Sequence, residues 1–369
     1  MSDFPQATLE TWHTRVGGVE KLASRMADGA RIEPLYQQIQ GPRADKNVYG
    51  PWQVLQRVDH PVAVKANAQV MDDLENGAVG LSIARSFDPM VIEGVALHAI
   101  HIMLEHGDDS AKAFAKYVDR QPIDPSRLQV SFGLKDMGLI KRLIAQGFVG
   151  PFMDADGRAF HNQGATETQE LACVLAGLVR ILRGSGNIMP SATLAANQDM
   201  FLTLAKFRAI RILWARILEV SSLPFVPLQL HGETSLRMMA SLDPHMNLLR
   251  ATTAVFGAGL GGCDSFTVLP FSIKQGVPNA FARRMARNTQ LVMQEEAQLW
   301  RVADAASGSG YIESLTHDFC EKAWEVFQGI ERTGREPEFD ANNTSSDPLI
   351  GSSTHQLRQE FAAAVDTLS

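Results

Sequence analysis

Cysteine is nearly absent from this 369-residue chain: Cys173, Cys263 and Cys320 stand far apart, each in an apolar setting. An odd, scattered set gives no disulfide framework and no CxxC or Cys/His cluster with metal-ligand spacing. The three read as buried free thiols in a reducing compartment. Aromatic residues make up 7 % of the chain, none interleaved with Lys or Arg, and the formal net charge is −7. With no basic surplus there are no counterions to release from a phosphate backbone, so no nucleic acid partner is expected. No run of 18 apolar residues occurs, so no membrane span is expected. The first residues, MSDFPQATLETWHTRV, lack a basic stretch leading into an apolar core, so no signal peptide is expected either. The expected location is cytoplasmic.

What is present is ordinary globular composition, 45 % hydrophobic and 20 % charged. The length suits one large barrel with extensions or two ordinary domains. Residues 1–60 read as an extension: a helical pattern over 8–26, a short apolar piece at 32–36, and a Gly/Pro/charge-rich loop, GPRADKNVYGPWQ. From residue 61 to 369 helix and strand patterns alternate. Strands are expected at 78–84, 99–104, 128–132, 150–154, 225–231, 265–269 and 348–351. Helices are expected at 61–75, 89–95, 110–119, 136–146, 166–183, 200–220 and 243–257, with two long ones after 269 and one terminal helix after 351. Leu171, Leu175, Leu178 and Leu182 share one face of the 166–183 helix. Asp243 and Pro244 are placed to cap and open the 243–257 helix. The alternation predicts a parallel sheet with helical crossovers, and its length favours a closed (β/α)₈ TIM barrel over an open sheet.

Several motifs carry possible chemistry. Gly257-Ala258-Gly259-Leu260-Gly261-Gly262 matches G-x-G-x-x-G, but a helix precedes it and a strand follows, the reverse of a dinucleotide fingerprint. A glycine helix stop is the favoured reading. Asp243-Pro244-His245 begins like a cobalamin-type D-x-H-x-x-G but lacks its glycine. His161 and His231 both follow strand patterns, at barrel positions where active sites lie. Each suits a general acid or a hydrogen-bond donor to a carbonyl, against the plainer reading of a turn residue. Arg283, Arg284 and Arg287 on one helix suit the phosphates of an acyl carrier such as coenzyme A. The commoner use of such residues is an ion-paired face, here with Glu295 and Glu296.

The words Ala286-Arg287-Asn288-Thr289-Gln290, Gln294-Glu295-Glu296, Arg301-Val302-Ala303-Asp304, Tyr311-Ile312-Glu313-Ser314-Leu315-Thr316 and Lys322-Ala323-Trp324 closely resemble methylmalonyl-CoA mutase, among the adenosylcobalamin-dependent acyl-CoA mutases. The resemblance runs upstream through Ala205 to Ala215 and Pro51 to Arg57, covering most of the chain. The stretch from Phe256 to Ser265 is similar to the small-subunit form of heterodimeric members. Catalytic subunits carry histidines in a T-Q-S-L-H-T-N-S run where this chain has Cys263, Asp264, Phe266, Thr267 and Val268. Aligned on Gly164, their Y-H-M-Q-E-A-G-A word places the catalytic histidine at Ala159, with His161 displaced by two residues. The resemblance also nominates Tyr49, offset by two residues, as the tyrosine beside substrate, and Gln163 as a cofactor-binding residue. It implies adenosylcobalamin, but the D-x-H-x-x-G word of the domain that holds cobalamin is absent, so this chain alone is not expected to hold it. Radical rearrangement begins with Co–C homolysis in a dry barrel mouth, and the cobalt would have to come from another chain.

Three functions stay open at this stage. The first is a small-subunit-like, largely non-catalytic partner in isomerising methylmalonyl-CoA and succinyl-CoA, in a dimer with a homologous mutase subunit. The second is a stand-alone acyl-CoA binder or non-radical acyl-CoA enzyme using His161 and His231. The third is the barrel half of a split mutase that recruits a separate cobalamin-binding protein.

Overall fold

Eight parallel strands, each laid beside the one before it in the chain, form the centre of the molecule. A computed structural model describes residues 8–44, 46, 49–185, 188–340 and 364–366. Ahead of the barrel lie helix α1 (Leu9–Val16) and an antiparallel pair, β1 (Ser24–Arg25) with β2 (Arg31–Ile32). The barrel strands are β3 (Gln53–Val58), β4 (Gly80–Ile83), β5 (His101–Leu104), β6 (Gln129–Ser131), β7 (Asp154–Asp156), β8 (Ser191–Ala196), β9 (Gln229–Thr234) and β10 (Ser265–Thr267). Their order is β6-β5-β4-β3-β10-β9-β8-β7, so the last strand pairs with the first and the sheet all but closes. The remaining seam, between β6 and β7, is bridged by two backbone bonds. Phe132 N donates to Pro151 O (3.0 Å) and Leu134 N to Phe152 O (2.7 Å). The result is the expected α/β barrel.

Around it run α2 (Ala63–Glu75), α3 (Gly107–Val118), α4 (Met137–Ala145), the short α5 (Arg158–Asn162), α6 (Glu167–Ser185), α7 (Met200–Val220), α8 (Met246–Leu260), α9 (Ala280–Leu291) and α10 (Gly310–Thr333). Side-chain caps start several of them: Asp136 for α4, Asp199 for α7 and Asn279 for α9. The apolar core lies between sheet and helices in two clusters. One joins β3–β6 to α2–α4 through residues such as Leu81, Ile102, Phe114 and Leu143. The other joins the β8–β10 side to α6, α7, α8 and α10 through Leu194, Phe207, Trp214 and Phe319. The N-terminal segment is tied to α10: the Tyr36 and Tyr311 rings lie 5.2 Å apart, and Lys322 Nζ donates to Asp28 O (3.1 Å).

Three strands differ from the sequence reading, the first being β1, which falls inside the helical pattern expected over 8–26, where α1 already ends at Val16. β3 falls partly in the expected loop and inside the 1–60 extension, and β8 lies where no strand was expected. β8, Ser191–Ala196, is buried on both faces and built of Ser, Ala, Thr and Leu, so neither alternation nor β-branched content marks it. Asp243 does not cap α8. It takes a left-handed φ of +46°, and the helix starts three residues later without a side-chain cap. The strand expected at 348–351 lies outside the described residues, as does nearly all of the terminal helix. The described piece 364–366 is extended, with Val365 bridged to Pro278.

Candidate functional site

Strand residues alternate between faces, so one set of each strand points at the helices and the other into the bore. Outward residues such as Val54, Leu81, Ile102, Leu194 and Phe266 are apolar and buried. The inward set is largely polar, with Leu55, Met103 and Ala195 as its apolar members. Ordinary barrels fill this space with branched aliphatic side chains; here it holds three layers of hydrogen-bonding groups.

The lowest layer joins Gln53, His101, Gln129 and Ser131. Gln53 Nε2 donates to Gln129 Oε1 (3.0 Å), and its Oε1 lies 2.8 Å from His101 Nδ1. His101 Nε2 is 2.9 Å from Ser131 Oγ. The amide therefore fixes the tautomer: Nδ1–H donates and Nε2 accepts from the hydroxyl. Burial pushes this imidazole down to about 4. In the middle layer His231 Nδ1 contacts Ser265 Oγ at 2.8 Å, while Nε2 is buried without a partner. Burial, then the nearby Arg158 charge, lowers His231 to about 3.

The top layer crosses the C-terminal mouth. Arg57, Glu105, Arg158 and Glu233 come from or just beyond β3, β5, β7 and β9, alternate strands of the barrel. Arg158 Nη1 lies 3.2 Å from Glu105 and 3.0 Å from Glu233; Arg57 Nη1 lies 3.6 Å and 3.4 Å from the same carboxylates. Burial works against the Glu105 anion, but Arg158 and Arg57 outweigh it and hold the group at about 2. For Glu233 burial prevails and the shift is upward.

Beside these layers lies a cavity of about 420 Å³, lined by His101, Ser131, Asp154, Thr193 and His231 on the bore side and by α6 on the other. Asp154 accepts from Ser191 Oγ (2.6 Å); burial, then the Asp156 charge, raises it to about 6. The structure thus brings His231 to the cavity, together with His101 and Asp154, which sequence reasoning missed. His101 sits in an apolar run (AIHIML), and Asp154 closes the expected 150–154 strand just ahead of Asp156 and Gly157. Only knowledge that the bore is polar would have singled them out.

His161 goes elsewhere. It is fully buried on α5, with Nδ1 3.2 Å from Glu170 Oε2 and Nε2 2.8 Å from Ser235 Oγ. Glu170 also accepts from Lys206 Nζ (2.7 Å) and Ala195 N (2.9 Å). The Ser–His–carboxylate order matches a nucleophile, base and orienting acid. Yet none of the three lines any of the cavities described here, and Met238 N donates to the same Ser235 Oγ. The group works as a buried clamp holding α5, α6 and α7 to the end of β9. Gln163, one residue past α5, is exposed.

The remaining nominated residues do not join this cluster. Tyr49 is exposed at the opposite, N-terminal end of β3, its hydroxyl donating to Arg301 O (2.5 Å) beside a separate cavity of about 240 Å³. Arg283 and Arg287 are buried and both pair with Asp73 of α2, at 2.5 Å. Those contacts are the ion-paired packing use, with Asp73 rather than Glu295 or Glu296 as partner. Arg284 lies 5.5 Å from the Phe281 ring.

The family model for methylmalonyl-CoA mutase matches residues 153–338. The chain belongs to the methylmalonyl-CoA mutase family. It is 34 % identical to the methylmalonyl-CoA mutase small subunit of Streptomyces virginiae, over 90 % of this chain and 64 % of that one. It is 47 % identical to the probable small subunit of Mycobacterium tuberculosis over 48 % of this chain and 32 % of the relative. Against the methylmalonyl-CoA mutase of Escherichia coli it is 25 % identical, over 90 % and 58 %. The chain therefore spans less than two thirds of the length of these relatives.

Within this mutase family the cofactor is adenosylcobalamin, and the described residues do not fit it. The mouth that would face a corrin is crossed by the Arg57–Glu105–Arg158–Glu233 layer. His245, in the sequence nearest to a cobalt-ligand word, packs its ring 5.2 Å from Phe271. Most positions matched to the catalytic T-Q-S-L-H-T-N-S run are committed to packing, Thr267 with its unpartnered hydroxyl excepted. Cys263 and Phe266 are fully buried, and Asp264 Oδ2 accepts from Leu230 N (2.8 Å) and Arg211 (3.1 Å).

Proposed function

We propose that this chain is the small-subunit barrel of a methylmalonyl-CoA mutase assembly. It supports a homologous, cobalamin-bearing subunit in isomerising methylmalonyl-CoA and succinyl-CoA and performs little or none of the chemistry itself. One observation carries the reading: Cys263 and Phe266 of the family's histidine-bearing run pack the barrel wall and alanine, Ala159, stands at the catalytic-histidine position, under a mouth crossed by four mutually paired charges. A buried ion-pair layer resists displacement, because uncovering one partner strands the other in a low-dielectric site. The proposed setting is a reducing cytoplasm, consistent with free Cys173, Cys263 and Cys320.

The test is conversion of methylmalonyl-CoA with adenosylcobalamin, using this chain alone, a catalytic subunit alone, and both. The expected result is no turnover by the isolated chain and a dimer with higher activity or stability on mixing. Turnover by the isolated chain overturns the proposal. Activity restored only by a separate cobalamin-binding protein establishes the split-mutase arrangement instead. Acyl-CoA binding by this chain is a second reading, argued from the family alone, since the bore cavity is rich in carboxylates. Calorimetry with methylmalonyl-CoA and succinyl-CoA that shows no heat of binding removes it.

A further inference from the structure

The bore cavity has a charge imbalance that the mouth layer does not use up. At its inner, mouth-layer end four carboxyl groups, Glu105, Asp154, Asp156 and Glu233, stand with two guanidinium groups, Arg57 and Arg158, while Lys135, Arg180 and Glu336 line the outer end. Arg57 and Arg158 are each already paired with Glu105 and Glu233, and Arg158 also with Asp156 at 2.8 Å. Among the described residues no cation lies within ion-pair distance of Asp154, whose partner is the Ser191 hydroxyl. A second, independent signal lies across the same cavity. His231 is 5 % exposed and its Nε2 has no hydrogen-bond partner. A native buried polar atom left unpaired marks a place where a ligand or water completes the set. Because the ring is neutral and Nδ1 faces a serine hydroxyl, Nε2 offers a lone pair when Nδ1 carries the proton.

We propose that this cavity binds a small organic cation, a primary ammonium on a short polar body, held by Asp154 and His231. Both anchors accept hydrogen bonds and an ammonium group carries three donors, so the match is one of chemistry as well as charge. An anion meets a surplus of carboxylates, and an apolar ligand strands the serine and threonine hydroxyls of the lining. A bare metal ion lacks a ligand set, since no group of three His, Cys, Asp or Glu side chains suited to a metal occurs among the described residues. At about 420 Å³ the space suits a small molecule. Its outer end reaches exposed Lys135, Arg180 and Glu336 past the small side of α6 at Ala176 and Gly177, a lateral route that leaves the mouth layer intact.

The test uses the full chain without any partner, so its failure leaves the subunit assay unaffected. Ethanolamine is the probe, with acetamide, acetate and glycerol as neutral, anionic and polyol comparisons, followed by calorimetry and saturation-transfer NMR. Ethanolamine is expected to bind saturably and to shift the His231 Nε2 nitrogen resonance. Asp154→Asn is expected to weaken binding at least tenfold with the melting temperature maintained. Where that variant fails to fold, the His231 resonance in the unmodified chain still decides the matter. No saturable binding, equal binding of acetamide, acetate or glycerol, or unchanged affinity in folded Asp154→Asn overturns the proposal.

Discussion

His101 carries a cost that the bore imposes on the whole fold. Held between Gln53 and Ser131 and out of water, the ring stays neutral down to about pH 4, whereas an unfolded chain protonates it near 6.5. The unfolded state therefore binds the proton first, and stability present above pH 6.5 is lost as pH falls toward 4. The gap corresponds to at most about 3 kcal/mol. His231 acts in the same direction, with its folded value near 3. Asp154 opposes them: its raised value favours folding below about 3.8, an advantage that disappears as pH rises through 6. Glu105 and Glu170, both near 2, weaken the fold only below about 4.5. Urea titrations at pH 7.5 and 5 should show a marked loss of stability in the native chain and a smaller one in His101→Gln. Equal losses would remove His101 from this account.

At the scale of elements, the glycine cluster at the end of α8 is a packing device. Gly257 and Gly259 lie inside the helix and Gly261 follows its last residue. A β-carbon on Gly257 would sit 2.6 Å from Met200 O of α7, and one on Gly259 would sit 2.7 Å from the Trp52 ring. The three glycines let α8 press against α7 on one side and the approach to β3 on the other. The glycine pattern thus has a steric cause. Gly257→Ala meets backbone, which cannot rotate away, and should destabilise the chain by about 1–3 kcal/mol. A thermal melt reads this directly, and an unchanged or raised midpoint would contradict it. The Asp73 clamp on Arg283 and Arg287 does comparable work between α2 and α9.

At the scale of the molecule, the barrel is not uniformly closed. Seven strand junctions are ladders, but the β6–β7 seam rests on the amides of Phe132 and Leu134. Opening this seam breaks two bonds without breaching the β8–β9 pairing, whose register runs through six residue pairs. In native-state hydrogen exchange those two amides should exchange through a local opening, faster than the amides of β8 and β9. Equal protection would show that the seam opens only with global unfolding. The lateral cavity adjoins this side of the barrel, since Ser131, Gly133 and Asp154 line it.

Much of the architecture was legible along the chain. Apolar periodicity in α6 and α7, turn signals, and family words such as Ala286-Arg287-Asn288-Thr289-Gln290 determine the barrel class and the family. They do so because helix faces and helix starts are local properties, set within a few residues. The bore is different. Whether His231 faces a cavity and His161 a clamp depends on which strand face each occupies and on what stands across the barrel. β8 reads as no strand because its small residues are chosen by neighbours on both faces, and β3 reads as surface because Gln53 and Arg57 face a polar interior. For Arg283 the ion-pair use is the commoner reading, but its partner, Asp73, 210 residues away in sequence, emerges only when the fold brings it to 2.5 Å. Such pairings are fixed by closure of the sheet, and only the tertiary structure decides them.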